Sequence, residues 1–191
     1  MRNKRHYRLI LIALIFFVSV CGYGQQQKND DLIKVFVGEF DEVGVESGYV
    51  NIAGDTIIPI GKYHYCYTDT LRNYAIVLRK QGGLIAIDKN DQELFEIFWF
   101  DNGPDPISEG LFRIKKNGKI GYANKYGEII IVPQFDCAFP FKNGKAKVSN
   151  DCRIIPEDEH KRWESENWFY IDQTGKKMNL NALQQRVLCY P

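Results

Sequence analysis

From Leu32 onward the apolar residues fall in short runs, each rich in aromatic and β-branched side chains and broken by polar turn-formers: LIKVFVGEF, YHYCYTDT, NYAIVLRK, ELFEIFWF, LFRIKKNGKIGYA and WFYID. Such runs predict strands rather than helices. Asn117-Gly118 splits one run in two, and this dipeptide tolerates positive φ at both centres of a type I′ hairpin turn. Asn143-Gly144 predicts a second tight turn. Two segments depart from the pattern. Pro156 to Trp163 carries Pro at its first position, acids in its first turn and Glu157/Lys161 and Asp158/Arg162 at i,i+4, which predicts a short helix near 157 to 165. Asn179 to Cys189 places Leu180, Leu183 and Val187 on one helical stripe and predicts a C-terminal capping helix.

The chain is also self-similar. GYVNIAGDTIIP from Gly48, IAIDKNDQEL from Ile85, GYANKYGEIIIVP from Gly121 and FYIDQTGKK from Phe169 align on Tyr49, Ala86, Tyr122 and Tyr170. Two residues after each anchor stands Asn51, Asp88, Asn124 or Asp172, and five after it Gly54, Asp91, Gly127 or Gly175. The anchors are 37, 36 and 48 residues apart. Three offsets shared by four copies predict tandem antiparallel meanders of ~36 residues, one of them enlarged by an insertion at 150–167. In each unit the Asn or Asp is suited to an Asx-turn and the glycine to a left-handed conformation. The expected class is all-β, and four unequal units favour an open array over a closed propeller.

These strings closely resemble the bacterial WG (KWG) repeat. Gly121, Tyr122 and Asn124 match its Gly-Tyr-Ile-Asp-like string, Gly127 its turn, and Val132 with Pro133 its Val-Ile-Pro step. Phe135 with Asp136, then Phe141 and Gly144, match the later elements. The resemblance spans roughly residues 46 to 177 and is strongest from Glu109 to Val148. It is weak in the Ala86 unit, which lacks the anchor Tyr and the turn Gly. The family defines no catalytic residues that carry over.

The N-terminus changes the picture of where the chain acts. Arg2, Lys4, Arg5 and Arg8 precede an apolar stretch from Leu9 to Val20, which is short of the roughly 20 residues of a bilayer span but fits a secretory signal. Two processing routes follow: cleavage of residues 1–24 ahead of Gln25, or lipidation of Cys21. The expected product is a single domain, 25–191, in the periplasm or outside the cell, or a membrane-anchored lipoprotein. Overall 25 basic residues balance 24 acidic ones, and residues 25–191 carry a formal charge of −3, which argues against a nucleic-acid partner. Export also makes disulfides relevant. Cys66, Cys137, Cys152 and Cys189 allow three complete pairings. A Cys137–Cys152 bridge would close a short loop across the Asn143-Gly144 turn and contribute about 3 kcal/mol, the alternative being four free thiols.

Little in the sequence points to chemistry. His64 and His160 are the only histidines after the leader, and no C-x-x-C, H-E-x-x-H, P-loop or G-x-G-x-x-G string occurs. Asp101 to Asp105 with Glu109 lacks EF-hand spacing and reads as a turn rather than a calcium loop. Glu93/Glu96 and Asp101/Glu109 are the carboxylate pairs a glycosidase would need, but nothing singles them out. No catalytic residue, metal or cofactor is assigned. The aromatics Tyr63, Tyr65, Tyr67, Trp99, Trp163 and Trp168 are the candidate binding residues, for a glycan ring or an apolar partner. Strand parity would put Tyr63, Tyr65 and Tyr67 on one face, which is either a platform or the core between units. The leading expectation is therefore an exported, non-enzymatic protein that binds a protein or a cell-envelope glycan. The alternatives are a carboxylate-based, carbohydrate-active hydrolase and a lipid-anchored structural component of the envelope.

Overall fold

The computed structural model describes residues 30–157 and 160–179. The leader with Cys21, and the predicted C-terminal helix beyond Asn179 with Cys189, lie outside the described residues. In chain order the strands are β1 (Leu32–Phe36), β2 (Ser47–Val50), β3 (Thr56–Ile58), β4 (Tyr65–Cys66), β5 (Thr70–Leu71), β6 (Ala75–Leu78), β7 (Leu84–Ile87), β8 (Glu93–Ile97) and β9 (Trp99–Phe100). They continue as β10 (Gly103–Pro104), β11 (Leu111–Lys116), β12 (Lys119–Asn124), β13 (Ile129–Phe135), β14 (Cys137–Ala138), β15 (Ala146–Ser149), β16 (Arg153–Glu157), β17 (His160–Glu164) and β18 (Phe169–Ile171). The described residues contain no helix, and none long and apolar enough to cross a membrane. The described residues are all-β, and their strand pairs are antiparallel.

A seven-stranded sheet, β13-β12-β11-β8-β7-β6-β4, is the centre of the molecule. Leu78, Leu84, Ala86, Phe95, Ile97, Phe112, Ile114 and Ala123 on one of its faces gather with Tyr65 into a single cluster. Tyr74 joins them, its ring 6.1 Å from Phe112 and 6.5 Å from Phe95. Tyr74, just ahead of β6, reaches Phe112 in β11 across the two intervening strands, so the sheet curls over this cluster, the usual outcome of strand twist. Its opposite face is covered in two places. The four-stranded sheet β3-β2-β1-β5 packs Leu32, Tyr49, Ile58 and Leu71 against Val77, Ile85 and Ile87. The three-stranded sheet β14-β15-β18 packs Ala138, Ala146, Val148 and Ile171 against Leu111, Ile120, Tyr122 and Ile131.

The aligned strings adopt one turn geometry. At Asn51, Asp88, Asn124 and Asp172 the side-chain oxygen accepts the N–H groups of the residues two and four further on. The backbone N–H of each donates to the carbonyl four residues on, and its carbonyl accepts the N–H three residues on. Those third donors are Gly54, Asp91, Gly127 and Gly175, with φ of 89°, 63°, 83° and 85°. The Ala86 unit thus makes the same turn without its glycine. Asp91 takes the left-handed conformation, which Asp tolerates better than most residues, and its carboxylate is held by Lys62 and by the Tyr63 hydroxyl at 2.7 Å. Gly121 answers a different need: a Cβ there would lie 2.3 Å from the Ile131 carbonyl oxygen and 2.5 Å from the Pro133 nitrogen. Gly48 is enclosed in the same way by Ile58 and Ile60.

The helix predicted near 157 to 165 is instead a β-hairpin, and this corrects the sequence reading. Arg153–Glu157 pairs with His160–Glu164 in the register Arg153↔Glu164, Ile154↔Trp163, Ile155↔Arg162 and Glu157↔His160. Glu157 and Lys161, expected at i,i+4 of a helix, fall on opposite strands. Pro156 is tolerated because the hairpin is only two strands wide and has an open edge. Both ends are tied down. Cys152 is disulfide-bonded to Cys137, with Cα atoms 5.7 Å apart, and Asp151 accepts hydrogen bonds from Ser149, Ser165 and Asn167. A local helical propensity of a few tenths of a kcal/mol per pair cannot compete with these non-local ties. Cys66 is a buried free thiol, and burial pushes its pKa up.

Candidate functional site

The six candidate aromatics separate into two groups. Tyr63 and Tyr65 are buried and belong to different core clusters, and Tyr67 is half-buried with its ring 4.9 Å from Tyr65. They form no platform. Strand parity does not bring all three together, because β4 is two residues long and Tyr63 lies in the bend before it, outside the pleat. His64, in the same bend, is exposed.

The three tryptophans lie along one side of the molecule. Trp99, 44 % exposed in β9, and Trp163 in β17 both line a groove of about 840 Å³ with Phe98, Phe100, Ile120 and Ile154. Trp163 is held edge-on between Phe98 at 5.8 Å and Phe139 at 5.3 Å. Phe139 continues to Trp168, 5.5 Å away. The hairpin β16–β17 delivers Trp163, and the short sheet β14-β15-β18 and the residues at its ends deliver Phe139 and Trp168. The insertion that enlarges the last spacing therefore completes an aromatic run.

Beneath the groove lies a buried ion pair. The Asp105 carboxylate accepts the Arg113 backbone N–H at 2.8 Å and is gripped by the guanidinium, and both side chains are almost fully buried. Arg113 also donates to the Ala138 carbonyl at 3.1 Å and stacks 4.0 Å from the centre of Phe98. The pair thus fixes Phe98 from below, and losing one member would strand a buried charge. This removes Asp105 from the acidic stretch as a solvated turn residue. Glu109 is likewise engaged, accepting the N–H groups of Asn143 and Gly144 at 2.6 and 2.9 Å. Glu93 and Glu96 face Arg79, at 2.6 and 4.0 Å. No cluster of three or more potential metal ligands occurs among the described residues.

The turn residues flank this surface. Asn117 and Gly118, with φ of 53° and 77°, form the tip between β11 and β12, and Gly118 lines the groove. Asn143 and Gly144, with φ of 53° and 71°, form the turn that leads into β15. Residues 120–151, from Ile120 in β12 to Asp151 after β15, match the family described as WG containing repeat. The chain carries a WG repeat over residues 120–151. Comparison with curated proteins and with solved structures returns no match.

The WG repeat thus includes Phe139, Asp136 and Ile120 of the aromatic surface, whereas Trp99 precedes it and Trp163 and Trp168 follow it. Sequence reasoning missed Phe98, Phe100 and Phe139, together with the Arg113–Asp105 pair below them. The signal for Arg113 was present: a charged residue between Phe112 and Ile114 in a run whose neighbours are all buried needs a buried partner.

Proposed function

We propose that the chain is an exported, non-enzymatic protein that presents the Trp99–Trp163–Phe139–Trp168 surface to another macromolecule, a protein or a glycan of the cell envelope. The observation that carries this reading is the continuous aromatic run beside the 840 Å³ groove. Aromatic residues, with Trp and Tyr foremost, supply much of the energy of binding surfaces, and exposed apolar patches mark where partners dock. Under this reading the architecture is a set of tandem meander units, each closed by the four-bond Asx turn at Asn51, Asp88, Asn124 or Asp172. The insertion adds the ligand-facing Trp163 to a scaffold whose other parts repeat. The basic and apolar segment at residues 2–20 supports export, by cleavage ahead of Gln25 or by lipidation of Cys21.

The test is capture from an envelope extract with the purified chain as bait, repeated with Trp99→Ala. Trp99 is exposed and its indole N–H donates only to the nearby Asp101 carbonyl, so the substitution should leave the melting temperature unchanged. The expected result is a retained partner that the variant loses. Equal retention by both proteins overturns the assignment of this surface. Mass analysis of the mature N-terminus tests export, and an intact Met1 contradicts both processing routes.

A further inference from the structure

The outer face of the sheet β14-β15-β18 differs from the groove beside it. In the run Lys145-Ala146-Lys147-Val148 the Ala and Val enter the core, so strand alternation turns both lysines outward. Lys147 stands directly opposite Tyr170 of β18, and the Phe139 N–H donates to the Lys147 carbonyl at 3.0 Å, which puts Phe139 on the other flank. The ammonium groups lie over rings: Lys145 5.0 Å from the centre of Tyr170, Lys147 4.6 Å from Trp168 and 6.0 Å from Phe139. Lys142, Lys145, Lys147, Phe139 and Tyr170 line a groove of about 620 Å³ whose lining includes no carboxylate, and Trp168 stands beside it, in contact with Phe139 and Lys147. Among the described residues neither Lys142, Lys145 nor Lys147 has an ion-pair partner, whereas Lys62 and Lys119 have one and Lys34 and Lys89 have two; what sets the three apart from other unpaired lysines is that they share one groove.

We propose that this face binds a carboxylate-bearing polysaccharide, Lys145 and Lys147 taking the carboxylates of uronic-acid units while Phe139, Trp168 and Tyr170 carry the sugar rings. This rests on the reading of the chain as a binding protein and names the ligand class of one part of its surface. Charge complementarity fixes the sign of the ligand, since three unpaired ammonium groups in one groove call for an anion. Flat aromatic faces present negative charge density to the C–H groups of a sugar ring. An acidic peptide is the competing anion, and the aromatic rings that accompany both lysines favour a sugar over it. Residues 25–191, formally −3, also lack the broad basic surface that draws a polyphosphate.

The test follows tryptophan fluorescence of the purified chain titrated with hexamers of galacturonate and of mannuronate, their methyl esters, a poly-glutamate peptide and an oligo-dT. The expected result is saturable binding of a uronate hexamer that weakens with salt and is absent for its ester. Lys145→Gln with Lys147→Gln should weaken binding roughly ten-fold or more, as loss of two charge-assisted contacts implies, with an unchanged melting temperature. Trp168→Ala should weaken binding while leaving the salt dependence in place. Equal binding of the ester, an unaffected double variant, tighter binding of poly-glutamate or oligo-dT, or no binding of either uronate overturns the proposal. If Trp99-dependent capture persists in any of these cases, the binding-surface reading stands and only the ligand class falls; if capture is lost as well, both fall.

Discussion

Tyr122 and Tyr170 occupy the same place in two aligned strings, and their surroundings differ completely. Tyr122 is 1 % exposed, its ring packs 4.8 Å from Phe141 and its hydroxyl donates to the Phe139 carbonyl at 2.7 Å. Tyr49 repeats this arrangement, donating to the Thr68 carbonyl at 2.6 Å. Burial raises the pKa of both phenols, so they stay protonated and remain donors. Tyr170 is half-buried on an outer face beneath Lys145. The turn that follows each is nevertheless the same to the hydrogen bond. Local sequence dictates the turn, while what packs over the anchor decides whether it is core or surface.

The largest expected effects break that comparison at its buried member. Tyr122→Ala should cost about 3–5 kcal/mol, as other buried aromatic truncations do, while Tyr170→Ala should cost under about 1 kcal/mol. Gly121→Ala belongs with the first, because its new methyl would meet backbone that cannot step aside. Chemical denaturation of the three variants checks the order. Similar losses for Tyr122→Ala and Tyr170→Ala would mean that the last string is as buried as the third.

A smaller effect is expected at the bridge that anchors the insertion. Cys137 and Cys152 are 15 residues apart, and opening such a loop should cost about 3 kcal/mol in the chain-entropy model. The consequence should be regional. In Cys152→Ser, hydrogen exchange should speed up in β14 to β18 and Trp163 should become more accessible to a quencher. Strands β1 to β3, packed on a separate cluster, should exchange as before. Uniform acceleration would show that the two regions melt as one.

Much of this was legible in local chemistry. Side-chain oxygens at Asn51, Asn124 and Asp172 followed three residues later by glycine define a turn with no help from the rest of the fold, and alternation in runs such as Ala146 to Ser149 defines strands. Two kinds of feature escaped. The insertion has helical spacings, yet ties reaching Cys137 and Ser149 from outside it impose a hairpin. The surface was only half visible, because a tryptophan's exposure depends on which strands meet around it. Tyr63 and Trp163 both read as ligand-facing aromatics; a bend carries the first into the core, and a hairpin carries the second to the rim of a groove.

The smallest expected effect concerns the carboxylate at the foot of that hairpin. Hydrogen bonds from Ser165, Asn167 and Ser149 hold the Asp151 pKa down to about 2, against 3.8 for an unperturbed group. A folded-state pKa below the unfolded one means that the charged form favours folding. That contribution is complete above pH 3.8 and is lost as pH falls from there towards 2. Asp151→Asn keeps the shape of the side chain and removes the titration. The wild type should therefore melt above the variant at neutral pH, by an amount limited by solvent screening at so exposed a site. The gap should narrow through pH 3 and vanish only below pH 2. The region around Tyr49 has no part in this, so exchange in β1 to β3 should follow the same pH profile in both proteins. A gap that stays constant down to pH 2 would show that the Ser149, Ser165 and Asn167 bonds do not depend on the charge they surround.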